Sequence, residues 1–312
     1  MLLSAIVCTY KRPDHISALL GDLERAQSKA NAGWELLVVD NAGDAQTRKR
    51  CHDSPLLKQG VMKYLHEPRA GLSVARNHGV RKALGEWLLF LDDDVRVRED
   101  FIHQMLQAIE ECENMDVLCP RMVAPLPPDI PGWLQRRVAS GVGQFDLGKH
   151  PCKLSQATKL PVGACFCMHR RVWKQYGPFE EKMGREGRRL LGGEESLLMM
   201  KAFAAGAKGM YLPHILVHHE FVNDKKGKAY WRRHAYDGGR SYVRMQLKLA
   251  KSGLASPRLA RLALVSAAKA MFRLLVMPFS GRDAFENQHR VLAHLGRAKE
   301  ACSLLIKRDI GR

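Results

Sequence analysis

Three carboxylates in a row, Asp92-Asp93-Asp94, close the apolar run Trp87-Leu88-Leu89-Phe90-Leu91. A short apolar run with aromatics reads as a strand buried on both faces, as in a parallel sheet. Unpaired charge inside such a strand is costly, so the aspartates belong at its carboxyl end, beside water, a cation or a ligand. In open α/β sheets that edge is where ligands bind. Hard oxygen ligands there suit Mg²⁺ or Mn²⁺ bridging to a diphosphate. A solvated acidic turn capping the next helix is the plainer alternative. A second acidic pair, Glu194-Glu195, follows Gly192-Gly193 and opens an apolar helical run from Leu197 to Phe203. Carboxylates at a helix N-terminus are favoured by the macrodipole alone. The chemical reading is a general base behind a flexible glycine pair. His218 and His219 end the apolar run that starts at Leu212. A histidine at a strand end is either a metal ligand or simply a satisfied polar residue.

The elements that must position these groups follow an α/β order. Leu3 to Cys8 is the first strand, and Thr9-Tyr10-Lys11-Arg12 leaves its carboxyl end. Pro13 suits a helix first turn, and Ile16, Leu19, Leu20 and Leu23 fall at helical spacing. Trp34 to Val39 is a second strand ending at Asp40-Asn41, and Val61 to His66 a weaker third. Gly71-Leu72-Ser73 opens a helix that leads to the strand of the three aspartates. The series predicts a parallel sheet flanked by helices. Three polar strand ends on one rim describe a cleft. No GxGxxG follows the first strand and no P-loop is present, which disfavours a Rossmann dehydrogenase and a P-loop enzyme. A helix from Glu99 to Cys112 and a strand at Val117-Leu118-Cys119 come next. The stretch from Pro120 to Lys159, with Pro125, Pro127, Pro128 and Pro131, reads as a long surface excursion. Val162 to Met168 reads as a buried strand and Arg170 to Tyr176 as a short helix. Three helices follow, at Ala229 to Lys251, Pro257 to Met277 and Asp283 to Lys307.

The 312 residues suffice for one large or two modest domains, and 46% hydrophobic with 26% charged residues is ordinary globular composition. The eight cysteines form no CxxC pair, which predicts reduced thiols in a cytosolic protein. The N-terminus lacks the basic segment of a signal peptide, and no apolar run reaches the roughly 18 residues of a spanning helix. The net charge is +18, and residues 221–312 carry 20 Lys and Arg against 6 Asp and Glu. Such a basic surface implies an anionic partner: nucleotide, nucleic acid or acidic membrane. The helix near Leu259 to Val276, interrupted by Arg258, Arg261, Lys269 and Arg273, fits either a membrane interface or an ordinary core. Aromatics and arginines between Tyr230 and Tyr242 could stack on bases, but no nucleic-acid motif accompanies them and no nucleic-acid partner is expected.

Read in order, Ile6-Val7-Cys8-Thr9-Tyr10-Lys11-Arg12, Val38-Val39-Asp40-Asn41, Gly71 through Asn77, Leu91-Asp92-Asp93-Asp94 and Gly192-Gly193-Glu194-Glu195 resemble glycosyltransferase family 2. Those are inverting nucleotide-sugar enzymes of the GT-A fold, a Rossmann-like, mostly parallel sheet flanked by helices. The resemblance implies a catalytic domain over 1–220; residues 221–312 lie outside it, and their charge and helical pattern read as a basic helical region that could associate with a membrane. It implies that Thr9, Tyr10 and Arg12 line the base pocket, that Asp40 binds base or ribose, and that Arg76 contacts the donor. Asp92 and Asp94 would be the DxD pair that holds the metal, Asp94 foremost, with Asp93 near the ribose. Either His218 or His219 would complete the coordination of Mn²⁺ or Mg²⁺. Glu195 would be the base, although the family usually carries Glu-Asp here. Gly193 and Glu194 would meet the acceptor. The implied reaction moves a sugar from a nucleoside-diphosphate sugar to a saccharide or lipid-linked acceptor; the basic tail and the helix near Leu259 to Val276 point to a cytoplasmic enzyme that could work at the inner face of the cytoplasmic membrane. The alternative, a sugar-phosphate nucleotidyltransferase, would want a Gly-rich loop after the first strand, and Thr9 to Arg12 has no glycine.

Overall fold

The structure is a computed structural model. It describes residues 1–312 except 30–32, 127–129, 140–142, 156–157, 159, 162, 188, 221–226, 251–255, 277–283 and 311–312. Pro127, Pro128, Val162, Met277 and Asp283 therefore lie outside the described residues.

The N-terminal half is built from β1 (Leu3–Thr9), β2 (Trp34–Asp40), β3 (Met62–His66) and β4 (Trp87–Asp92). Helices α1 (Pro13–Gln27), α2 (Ala45–Asp53), α3 (Pro55–Lys58) and α4 (Leu72–Lys82) cross between them. Every residue of β2 is buried, which explains its apolar run Leu36–Val39, and the buried Glu35 is paired with Ser4 and Lys63. The four strands are parallel in the order β3-β2-β1-β4, and the register sets Thr9 beside Asp40 and Cys8 beside Asp92. In-register parallel pairing thus brings the three polar strand ends to one rim.

The second half adds β5 (Val95–Arg96), α5 (Phe101–Glu111), β6 (Val117–Val123), α6 (Gly132–Ala139) and β7 (Cys152–Leu154). It continues with β8 (Cys165–His169), α7 (Arg170–Tyr176), α8 (Glu194–Ala204) and β9 (Gly209–His219). β8 runs antiparallel between β4 and β6, β9 is parallel to β6, and β5 and β7 are antiparallel to β9. Six of the nine strands among the described residues point the same way, a mostly parallel sheet as expected. β6 runs past Cys119 to Val123, with a register shift at Pro120/Arg121, where proline offers no N–H to the ladder. The expected surface excursion is partly tied down. Phe145 is fully buried and exchanges backbone hydrogen bonds with Met122.

The C-terminal helices are α9 (Lys228–Leu249), α10 (Ser256–Val276) and α11 (Ala284–Ile310). α9 and α11 cross backbone to backbone. A Cβ on Gly239 would run into the Ala293 carbonyl, and one on Gly296 into that of Tyr236. Trp231 and Phe285 join Ile130 and Leu134 in one small core, and Val243, Leu259, Ala263 and Ala301 form another. No helix among the described residues is long and apolar enough to cross a membrane.

Candidate active site

A cleft of about 830 Å³ opens on the rim where the polar strand ends meet. Thr9, Tyr10, Arg12, Arg76, Asp92, Asp93, Asp94, Gly193, Glu194, Glu195 and His219 all line it. Of the residues expected there, Asp40 and His218 are not among its walls. The Asp40 carboxylate accepts hydrogen bonds from the N–H groups of Ala42 and Gly43 at 2.9 and 3.0 Å and from the Tyr64 hydroxyl at 2.8 Å. It is consumed in closing the turn after β2. Its neighbour Asn41 does line the cleft, and accepts from the Gly71 N–H that leads into α4. His218 is exposed, as strand alternation demands of the neighbour of a cleft-facing residue.

Lys11 sits at φ 53°, a left-handed conformation between Tyr10 and Arg12. Beyond it, Arg12 donates to Asp93 at 3.0 Å and to Asp94 at 3.2 Å. Thr9 Oγ1 donates to Asp93 at 2.7 Å. Burial pushes the Asp93 carboxyl up to about 6, against the pull of Arg12 and with further upward push from Asp94.

β5 pairs with β9, setting Val95 opposite His219, so the imidazole comes to Asp94. His219 Nε2 lies 3.2 Å from Asp94 Oδ1, and Nδ1 lies 3.0 Å from the Gly143 carbonyl. A carbonyl only accepts, so Nδ1 carries a proton and donates. In the neutral ring Nε2 then turns a lone pair toward a carboxylate oxygen. Two acceptors facing each other are reconciled by a proton or a cation between them. A ligating histidine anchored to a carbonyl through its other nitrogen is a common arrangement at metal centres. Among the described residues no cluster of three or more His, Cys, Asp or Glu is arranged to hold an ion. A divalent cation would take Asp94 and His219, with the remaining positions left to phosphate oxygens and water, as Mg²⁺-type sites commonly do. The donor set fits.

Arg76 is fully buried and joins the two acidic motifs. It reaches Glu194 Oε1 at 2.7 Å, Asp92 Oδ1 at 3.1 Å and the Gly163 carbonyl at 2.7 Å. Its guanidinium also stands within 5.8 Å of the Phe166 ring centre and 5.9 Å of the Phe179 ring centre. Glu194 Oε2 is buried with no hydrogen-bond partner among the described residues. Glu195, the next residue on α8, is pushed up to about 8, first by burial and then by the charge of Glu194, with Arg76 opposing. A proton acceptor poised near neutrality suits general-base work.

Several groups were not singled out from the sequence. A Cβ at Gly163 would stand 3.1 Å from Glu195 Cδ and 3.2 Å from Arg76 Nη2, so this glycine makes room for the Glu195 side chain. A glycine opening an apolar strand was its only signal. His234 and Ser241 of α9 also wall the cleft, beside Tyr230 and Arg233 of the stretch read as base-stacking. Asp237 accepts from the Leu190 N–H at 2.9 Å and Ser241 from the Gly192 N–H at 3.0 Å, so α9 holds the segment leading into Glu194-Glu195. Trp231, grouped with Tyr230 in the sequence as a base-stacking candidate, is buried in the core.

Known proteins extend this picture. The chain is 24% identical over 241 residues to the succinoglycan biosynthesis protein ExoM of Rhizobium meliloti, covering 77% of this chain and 73% of that protein. In fold it is similar to the mannosyltransferase PcManGT of Pyrobaculum calidifontis in complex with GDP-Man and Mn²⁺, with TM-score 0.60, 18% identity, and coverage of 95% and 85%. It is also similar to S. aureus TarS 1-349 in complex with UDP, with TM-score 0.57, 16% identity, and coverage of 97% and 92%. These likenesses share the GT-A fold. The model of the family described as Glycosyl transferase family 2 matches residues 4–177, more than half of the chain, over the strands and helices that carry Thr9, Arg76 and the three aspartates, and the chain therefore belongs to glycosyltransferase family 2.

Proposed function

We propose that this glycosyltransferase is metal-dependent and inverting, and that it moves a sugar from a nucleoside-diphosphate sugar to a hydroxyl of a cell-surface polysaccharide, lipopolysaccharide or lipid-linked glycan. One observation carries the reading. Asp92 and Asp94 at the end of β4, His219 at the end of β9 and Glu195 at the start of α8 line a single cleft. The donors named with fold-similar structures, UDP-GlcNAc and GDP-Man, support a nucleoside-diphosphate sugar as the donor class. Mn²⁺ bound with GDP-Man in the mannosyltransferase PcManGT supports a divalent cation. We keep 1–220 as the catalytic domain and 221–312 as a basic helical region, with α9 completing the cleft.

In this mechanism Thr9, Tyr10 and Arg12 receive the nucleotide where β1 ends. Asp94 and His219 would hold a divalent cation, which would offset charge on the leaving diphosphate. Arg76 keeps Asp92 and Glu194 in place. Glu195 takes the proton of the acceptor hydroxyl as its oxygen attacks the anomeric carbon from the face opposite the diphosphate. The new glycosidic bond forms, the bond to the diphosphate breaks, and the configuration inverts. The wall made by Gly193, Glu194 and α9 is assigned to the acceptor.

A thermal-shift screen of nucleotide sugars with and without Mn²⁺ tests the donor, since a tight ligand raises the melting temperature by mass action. Asp94→Ala and Glu195→Gln should each abolish transfer while the protein stays folded. Wild-type turnover in Glu195→Gln removes the base assignment. Release of pyrophosphate instead of a nucleoside diphosphate makes the enzyme a nucleotidyltransferase.

A further inference from the structure

Exposed apolar side chains are unremarkable when scattered, but here they gather. Half of the large exposed apolar side chains among the described residues lie on α10: Leu264, Val265, Met271, Phe272, Leu274 and Leu275. Leu264 is 71% exposed, Phe272 64% and Leu275 68%. Leu264, Ala268, Met271 and Leu275 follow helical spacing down one face, with Val265 and Phe272 in the adjoining row. The opposite face, Leu259, Ala263, Ser266 and Ala270, is buried, and α10 packs on α11 through the neighbouring helix surface. The apolar arc is therefore the outward side of a helix that is already docked, not a core face awaiting its own domain.

Charge identifies the occupant. Exposed Arg258, Arg261 and Lys269 border the arc, Arg273 lies beside them, and α10 contains no Asp or Glu. Two copies of this face brought together would oppose like charges, which disfavours self-association. An anionic bilayer offers a headgroup layer for the basic border and an acyl boundary for the apolar arc, the environment of an in-plane amphipathic helix. The helix does not qualify as a spanning segment, so it would lie flat.

We propose that the outward face of α10 docks this enzyme onto an anionic lipid bilayer. The proposal deepens the reading of an enzyme acting on a membrane-borne acceptor, and it stands on residues remote in sequence from Asp94 and Glu195.

The test uses the full chain and vesicles without nucleotide sugar. Wild type should sediment with phosphatidylglycerol-containing vesicles at least tenfold more strongly than with phosphatidylcholine vesicles, and less as salt rises. Each Lys or Arg held at an anionic surface strengthens binding about fivefold, so Arg258→Gln, Arg261→Gln and Lys269→Gln together should weaken it about 100-fold. Leu264→Asp, Phe272→Asp and Leu275→Asp together should abolish sedimentation while melting temperature and nucleoside-diphosphate binding stay at wild-type values. Wild type that ignores anionic vesicles overturns the proposal. So does vesicle binding that neither set of substitutions weakens, or a dimer in light scattering that the aspartate triple breaks while vesicles are ignored. Because donor binding is read separately, a failed glycosyl-transfer reading would show as lost nucleotide binding with vesicle binding intact.

Discussion

Replacing Gly163 with alanine perturbs the proposed base, Glu195, without touching its chemistry. The added methyl would stand 3.1 Å from Glu195 Cδ, 3.3 Å from Glu195 Cγ and 3.2 Å from Arg76 Nη2, closer than ordinary contact, so a neighbour must give by a few tenths of an ångström. Arg76 cannot give cheaply, because Glu194, Asp92 and the Gly163 carbonyl hold its guanidinium on three sides. Glu195 has the cleft in front of it, so it is the group that moves. A misplacement of about 1 Å costs roughly 100-fold in rate, so a shift of a few tenths should cost about three- to tenfold. The assay is steady-state release of nucleoside diphosphate with acceptor saturating. We expect kcat to fall by that factor with donor binding unchanged, and Gly163→Ala combined with Glu195→Gln to be no slower than Glu195→Gln alone. Wild-type kcat in a folded Gly163→Ala protein would refute the placement of the base against this glycine. An unaltered kcat with weakened donor binding would move Gly163 to the donor side.

Arg76→Met leaves the buried Glu194 carboxylate unpaired, and should cost about 3–5 kcal/mol in urea unfolding; a loss under about 1 kcal/mol would mean the ion pair contributes little. Glu195, held up near 8, acts only when deprotonated, so the transfer rate should climb about tenfold per pH unit below that value and level off above it. Glu195→Gln should erase that limb, and a flat profile in wild type would speak against the assignment. His219→Ala should weaken Mn²⁺ activation at least tenfold while His218→Ala, on the exposed side of β9, leaves it unchanged, as read by metal titration of activity. Gly239→Ala sets a methyl against the Ala293 carbonyl at the α9–α11 crossing, an overpacking cost of about 1–3 kcal/mol that should lower the melting temperature. Turnover should fall with it, because α9 holds the backbone at Leu190 and Gly192.

Much of the sheet was readable because its signals are local. The apolar stretches Ala5–Cys8 of β1, Leu36–Val39 of β2 and Trp87–Leu91 of β4 are continuous because parallel strands are buried on both faces, and each stops at polar residues the interior would not accept. The short elements α2, α3, β5 and β7 were not readable, being too brief or too polar to leave a periodic trace.

By itself the sequence determined that carboxylates end one strand, that glycines and a second acidic pair open a distant helix, and that adjacent histidines end another strand. Only the tertiary structure decided between those histidines. Alternation along β9 guarantees that one faces inward, but its pairing with β5, a strand with no sequence signature, selects His219. Long-range packing likewise spent Asp40 on a turn, made Arg76 the link between both acidic motifs, and turned the start of the basic tail into a wall of the cleft. Periodicity reports which face of an element is buried, and it carries no information about which distant element will bury it.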